Sequence, residues 1–303
     1  MIKKNDFQCK ITGMLPNIEV RCCEPLNKHT SFKIGGPAEV MVFPKTVEEL
    51  AVVLKVSAFL DCKPAILGAG TNILAPDAGL SGIVICLKDA FNEMQVLDGN
   101  MIRIGAGVTM ARAAVFAASN GLGGLEFAHG IPGTVGGGVY MNAGAYGGDI
   151  SMVCNQVEVM MPDGSQKTYS NDEMEFSYRH SRLEDDNAIV TAAVFSLTPK
   201  PENEIRAVMQ DLMSRRKTSQ PLDKPSAGSA FKRPATGYAA ALIDQAGLKG
   251  FQIGDAAVSE KHAGFVVNLG AATAEDVKEL LNQVALRVKA ATGVDLEPEV
   301  RIW

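Results

Sequence analysis

The sequence predicts a mixed α+β protein, with strands interrupted by helices first and a helix-rich portion after them. Three observations carry this. Short apolar runs and stretches of helical period alternate from Glu39 to Leu197. Pro199 and Pro201 then punctuate the chain. Beyond them the pattern is mainly helical, at about 204–216, 238–246 and 275–291. With 303 residues, 47% hydrophobic and 21% charged, the chain has the length for about two domains and lacks the composition of a disordered protein.

Each element has a local reason. Glu39–Phe43 reads as a strand stopped by Pro44. Thr46 starts a helix, with Glu49 three residues on as its capping-box partner and Val47, Leu50 and Leu54 as its apolar face. Pro64–Leu67 is a strand running into the loop Gly68–Asn72, and Ile83–Leu87 and Met101–Ile104 are further strands. A helix over Met110–Asn120 is closed by Gly121. Gln156–Met161 and Gln166–Tyr169 flank the turn PDGS as a hairpin, and Ala188–Leu197 is a long strand. After the helix at 204–216 a Pro- and Ser-containing loop runs through Phe231. The last helix starts after Thr273 with Asp276 as its box partner, and Glu299–Trp303 is an end strand.

Charge and cysteine usage narrow the function. A net charge of −5 gives no basic footprint for nucleic acid, and no apolar run approaches the ~20 residues of a membrane span. The start, MIKKNDFQCK, has no apolar segment behind its charges, so no secretory signal is expected. Six cysteines form no CxxC pair and no HExxH occurs, which argues against a metal site or disulfide framework and for a reducing cytoplasm.

Glycine is the informative residue. Eleven of the 30 glycines lie between Gly121 and Gly148, interleaved with Leu, Phe, Ile, Val, Tyr and Met, which is no flexible linker. They are either tight turns of a β-rich domain or a backbone brought close to a ligand. No Lys or Arg occurs from Ala113 through Gln166, so an anion held there is held by backbone N–H groups. Gly68-Ala-Gly-Thr-Asn lacks the third glycine of a dinucleotide fingerprint and is not followed by a predicted helix, so a Rossmann reading fails.

Seven segments, in order, resemble the UDP-N-acetylenolpyruvoylglucosamine reductase family, flavoenzymes of peptidoglycan synthesis. They are HTSFKIGG (29–36), LGAGTNIL (67–74), GIPGTVGG (130–137), NAGAYG (142–147), SYRHS (177–181), AGSAFK (227–232) and LEPEVR (296–301). The resemblance implies an FAD-binding fold of the vanillyl-alcohol-oxidase type over residues 1–199, in two α+β subdomains of about 1–67 and 68–199. A smaller substrate-binding domain follows over 200–303, its end strand returning to the active site. Only 49 residues lie between Arg179 and Ser229, so the chain is similar to the shorter class lacking a tyrosine-bearing insertion. Thr71 stands where Ser is usual, and Arg233 where some members have Asn.

The reaction implied is reduction of the enolpyruvyl ether of UDP-N-acetylglucosamine to UDP-N-acetylmuramate, with NADPH as hydride donor and non-covalent FAD. The resemblance places Arg179 and Glu299 around the developing enolate and makes Ser229 the proton donor. It assigns Gly68, Ala69, Gly70, Thr71, Asn72, Ile73, Gly130, Ile131, Pro132, Gly133, Thr134, Gly137, Asn142, Gly144 and Ala145 to the cofactor, and Tyr178, Lys217 and Gly228 to the substrate. No metal, nucleic acid or membrane partner is implied, and a cytoplasmic monomer is expected. The residue types suit these roles: arginine supplies fixed planar donors to a carboxylate, and serine, a weak acid, protonates only a strongly basic carbon. Without the motifs, Arg179 reads first as a salt-bridging surface residue and Ser229 as a turn residue, and Lys217 equally as a solvated helix end. His129 reads as a structural histidine with its hydrogen bonds satisfied. An oxidase of the same fold would share the glycine-rich loops without the SYRHS, AGSAF and EPEV segments. A non-catalytic binding protein would have no need of Arg, Ser and Glu together.

Overall fold

The computed structural model describes residues 4–303. Contacts group them into two compact units, each assembled from several stretches of chain. The first unit comprises residues through Cys22, Val40–Ala69 and Gly82–Arg215; the second comprises Cys23–Glu39, Gly70–Ser81 and Arg216–Trp303. The division falls inside the helix Glu202–Ser219, and two early segments join the second unit.

Besides two two-stranded sheets, the first unit holds two larger ones. One has the strand order Glu19–Pro25, Pro37–Phe43, Leu80–Cys86, Ala65–Leu67, the last two parallel with Ala65 opposite Val84. Its core joins Val40, Val42, Ile83 and Ile85 to Phe7 and Ile11 of the helix Lys4–Met14 and to Leu50, Val53 and Leu54 of the helix Val47–Phe59. The helix Lys4–Met14 had no signal in the sequence reading. At the start of the second helix Thr46 accepts from the Glu49 N–H as expected, but the Glu49 carboxylate reaches Lys45 N–H at 2.6 Å, one residue before the cap. The other sheet is antiparallel, in the order Gln166–Ser170, Cys154–Met160, Ile189–Ser196, Met101–Gly105, Met94–Leu97. The PDGS hairpin closes it, with Met160 opposite Gln166 and Gly164 at φ +82°. The helix Met110–Ser119, capped by Thr109 and followed by Gly121 at φ +67°, packs its alanines on this sheet.

The second unit is a four-stranded antiparallel sheet, in the order Ser226–Ser229, Phe265–Asn268, Ala256–Val258, Gln252–Ile253. The first of these strands lies in the stretch expected as a loop; at four residues with a glycine it is too short to show alternation. The helix Ala274–Thr292 packs Val277, Leu280, Leu281 and Val284 against Ala256, Val258 and Val266. Its N-terminus has the full Thr273–Asp276 capping box and also the Asp77 carboxylate, which accepts from Ala274 and Glu275 N–H. Phe32, Ile34 and Leu74 complete this core. The end strand is shorter than expected, Arg301–Ile302, and pairs parallel with Ile73–Leu74, a strand absent from the sequence reading. No helix among the described residues is long and apolar enough to cross a membrane.

Candidate active site

In the second unit, four of the motifs meet through the backbone. Ser226 opposes Val267 and Ser229 opposes Phe265, so the strand carries one extra residue, a bulge at Ala227–Gly228 with Gly228 at φ +77°. The next residue, Ala230, donates its N–H to Gly264 O at 2.8 Å and accepts Glu299 N–H at 2.9 Å. Lys232 N–H then donates to Glu297 O at 2.8 Å, so the EPEV segment lies alongside the AGSAFK segment. Asn72 holds the other side of this strip: its Nδ2 donates to Glu299 O at 3.1 Å, and its carbonyl accepts Arg301 N–H at 3.0 Å. Ser31, of the HTSFKIGG motif, donates its backbone N–H to Gly70 O and its hydroxyl to Ser226 O at 2.6 Å.

Alternation along the strands sets the direction of Ser229. Val258 and Val266 face the helical core, so Ala257, Phe265, Val267 and, opposite Phe265, Ser229 share the other face. A cleft of about 320 Å³ is lined by Val267 and Ala257 together with Lys224, Gln252, Ser259 and Lys261. Lys217 is exposed in the last turn of its helix, and its carbonyl accepts Lys261 Nζ at 2.6 Å. The Arg233 guanidinium lies 4.2 Å over the Tyr238 ring. Glu299 is half-buried between exposed Pro298 and buried Val300. Behind Ser229, His262 Nδ1 accepts Gly264 N–H at 3.1 Å, and burial lowers its pKa from the ordinary 6.5.

The first unit carries the glycine-rich segment and the arginine. Thr109 and Thr134 each cap a helix, Met110–Ser119 and Val135–Tyr140, and bridge to each other. In this segment the glycines have different reasons. A Cβ at Gly136 would lie 3.0 Å from the Ala106 Cβ and 3.2 Å from its carbonyl oxygen, a tight contact, and one at Gly138 2.7 Å from the Met110 sulfur, which would have to move. One at Gly137 would meet only Thr134 Oγ1, at 3.7 Å, an ordinary contact. Packing therefore gives no reason for glycine at 137. In the second unit, Gly70 answers to the fold instead: at φ +63°, its Cβ would fall 2.1 Å from His29 O. His129 departs from expectation, because its Nδ1 is buried without a hydrogen-bond partner and burial holds its pKa below the ordinary 6.5.

Arg179 occupies a tight turn. Ser177 and His180 exchange backbone hydrogen bonds of 3.1 and 3.2 Å, and Arg179 between them sits at φ +57°. This left-handed conformation costs a non-glycine residue about 1–2 kcal/mol, and such strain concentrates at functional sites. Its guanidinium carbon lies 5.2 Å from the Tyr178 ring, which is 53% exposed. Arg179 is thus carried by the first unit, and Ser229 and Glu299 by the second. The sequence reading missed Ser31, Lys261 and the buried Ser181; Ser31 and Ser181 were legible only as members of the HTSFKIGG and SYRHS motifs. Burial pushes the Cys154 thiol up to about 12, so that cysteine is no nucleophile.

Comparison with known proteins finds relatives along nearly the whole chain. Residues 220–303 match the family model described as UDP-N-acetylenolpyruvoylglucosamine reductase, C-terminal domain, and residues 38–170 match that of an FAD binding domain. The UDP-N-acetylenolpyruvoylglucosamine reductase of Agathobacter rectalis is 43% identical, over 98% of each chain. That of Limosilactobacillus reuteri is 44% identical, over 95% of this chain and 96% of its own. The crystal structure of the Thermus caldophilus UDP-N-acetylenolpyruvylglucosamine reductase superposes with a TM-score of 0.79 at 36% identity, covering 95% of this chain and 99% of its own.

Proposed function

The chain belongs to the UDP-N-acetylenolpyruvoylglucosamine reductase family, and from that premise we propose how its residues divide the work. The enzyme is an FAD-dependent oxidoreductase that reduces UDP-N-acetylenolpyruvoylglucosamine to UDP-N-acetylmuramate in peptidoglycan precursor synthesis. Bound FAD supplies a relay for hydride from a reduced nicotinamide to the enolpyruvyl methylene carbon.

Gly137, with no packing reason to be glycine, supports a cofactor seat formed by Gly130–Thr134 and Gly137, with Gly68–Ile73 and the segments at Asn142, Gly144 and Ala145 contributing. The absence of basic side chains from Ala113 through Gln166 makes backbone N–H groups the donors to its diphosphate in this segment.

Charge developing beside the substrate carboxylate calls for a fixed cation, the role we give Arg179, whose strained turn holds the guanidinium donors ready. Ser229 gives a proton to the carbon next to the carboxylate, and Glu299 orients the enol oxygen. The observation that supports this pairing is the hydrogen bond from Glu299 N–H to Ala230 O, which puts Glu299 beside the residue that follows Ser229, in one unit. In the second unit the cleft on the face of Ser229, whose wall carries Lys224 and Lys261 together with Asp223 and Glu260, is given to the nucleotide end; Lys217 and Gly228, and in the first unit Tyr178, are given to the substrate. In this reading the enzyme is a cytoplasmic monomer using NADPH.

The test is spectroscopic. The purified protein shows flavin absorption, which NADPH bleaches and the enolpyruvyl sugar nucleotide restores without formation of peroxide. A colourless protein that takes up no FAD, or one whose colour returns only with oxygen, overturns the reading.

A further inference from the structure

The residues that flank Arg179 are tied to the NAGAYG region by two side chains. On the entry side, Asn142 Nδ2 donates to Ser177 O at 3.0 Å. On the exit side, the Ser181 hydroxyl donates to Tyr140 O at 2.7 Å. Both side chains are committed inward: Asn142 is 6% exposed and Ser181 0%. The other end of the Asn142 amide is also occupied, since its Oδ1 accepts Ser151 N–H at 3.0 Å. The two segments therefore exchange hydrogen bonds on either side of Tyr178–His180, which contains the left-handed Arg179.

We infer that Asn142 and Ser181 are positioning residues for Arg179, a clamp that holds its turn against the segment leading to Gly144 and Ala145. The inference rests on Arg179 acting on the substrate, as proposed above. A strained turn on an open surface relaxes unless its neighbours hold it, and these two part-buried bonds, made by buried side chains, are placed at its two ends. Losing either lets the guanidinium drift, and misplacing a charge-stabilising group by about 1 Å costs up to about 100-fold in rate. The clamp acts only where Arg179 acts, in the step that consumes the sugar nucleotide. It has no part in hydride transfer from the nicotinamide.

The test uses the FAD-loaded enzyme with Ser181→Ala, Arg179→Ala and the double variant. The two half-reactions are followed by stopped-flow absorption, and FAD affinity by fluorescence. Ser181→Ala should keep FAD binding and the nicotinamide half-reaction, and slow reoxidation by the sugar nucleotide about 10- to 100-fold. In the Arg179→Ala background the same substitution should change reoxidation less than about two-fold, because a positioning residue has nothing left to position. A merely structural serine would instead slow both backgrounds equally, and that result overturns the clamp. So does a normal reoxidation rate in Ser181→Ala when Arg179→Ala is slow. If Arg179→Ala itself reoxidises at the wild-type rate, the catalytic reading of Arg179 falls and the clamp with it. Should Ser181→Ala fail to fold, Ser181→Cys asks the same question: it keeps the shape at 181 and offers Tyr140 O only a weak S–H donor.

Discussion

Glu299 donates its backbone N–H to the carbonyl of Ala230, the residue that follows Ser229, at 2.9 Å. One main-chain bond thus fixes the spacing of the two residues proposed to handle the proton and the enol. The bond is a main-chain one and uses neither side chain.

For Ser229→Ala the expectation is a separation of half-reactions. NADPH should bleach the flavin at a near-normal rate, because that transfer needs no proton at the substrate carbon. Reoxidation by the enolpyruvyl sugar nucleotide should slow by the ~10²–10⁴-fold typical of a lost general acid. Stopped-flow absorption decides; wild-type rates in both directions would remove Ser229 from the mechanism.

Neighbouring glycines at 136 and 137 should behave oppositely. Gly136→Ala drives a methyl to 3.0 Å from Ala106 Cβ and 3.2 Å from its carbonyl, so thermal stability should fall. Gly137→Ala meets only an ordinary contact, and the helical position gains up to about 1 kcal/mol from alanine. Its stability should hold or rise while FAD affinity drops. Melting curves and flavin fluorescence on the two variants test the pair, and unchanged FAD affinity in Gly137→Ala would refute the seat.

Arg179 offers a test of strain against function. Arg179→Ala and Arg179→Gly both remove the guanidinium and should both slow reoxidation. Only glycine also releases the left-handed backbone at φ +57°, so Arg179→Gly should be more stable than Arg179→Ala by about 1–2 kcal/mol. Chemical denaturation of the two proteins measures the difference; equal midpoints would mean that the turn stores no strain.

His262 and His129 give the fold a dependence on acid. Burial lowers both pKa values, for His262 with the charge of Lys249 assisting, so the folded protein binds fewer protons than the unfolded chain. Their contribution is present above the unfolded value near 6.5 and is lost as pH falls below it through the folded values. Protonation of His262 also removes the acceptor of Gly264 N–H, whose own carbonyl holds Ala230. The melting temperature should decline from pH 7 to 5, and His262→Asn, which keeps an acceptor but does not titrate, should flatten that decline. An unchanged slope in the variant would exclude His262 as a contributor.

Much of the fold was legible because its signals are local. Thr273 with Asp276, Gly121 beyond the helix that starts at Met110, and the PDGS turn each act within a few residues, and each appears as read. The strands Ser226–Ser229 and Ile73–Leu74 were not legible, since two to four residues carry no period and exist only by pairing with distant partners. The second core escaped for the same reason: residues 23–39 and 70–81 join the C-terminal portion through Phe32, Ile34 and Leu74, and no composition shift marks them.

By itself the sequence determined which chemistries were available. The residue inventory and the seven ordered motifs named an arginine, a serine and a glutamate, a glycine-rich anion seat without basic side chains, and the family to which they belong. Only the tertiary structure decided what each polar group is occupied with. Asn72 and Asn142 look alike as motif asparagines, yet one amide holds the Glu299 strand and the other the Arg179 turn. Gly70, Gly136 and Gly137 look alike as motif glycines, yet a Cβ would strike His29 at the first and Ala106 at the second, and nothing closer than an ordinary contact at the third. The physical reason is that hydrogen-bond satisfaction and close packing are properties of neighbours in space, and chain order encodes those neighbours only after the chain has folded.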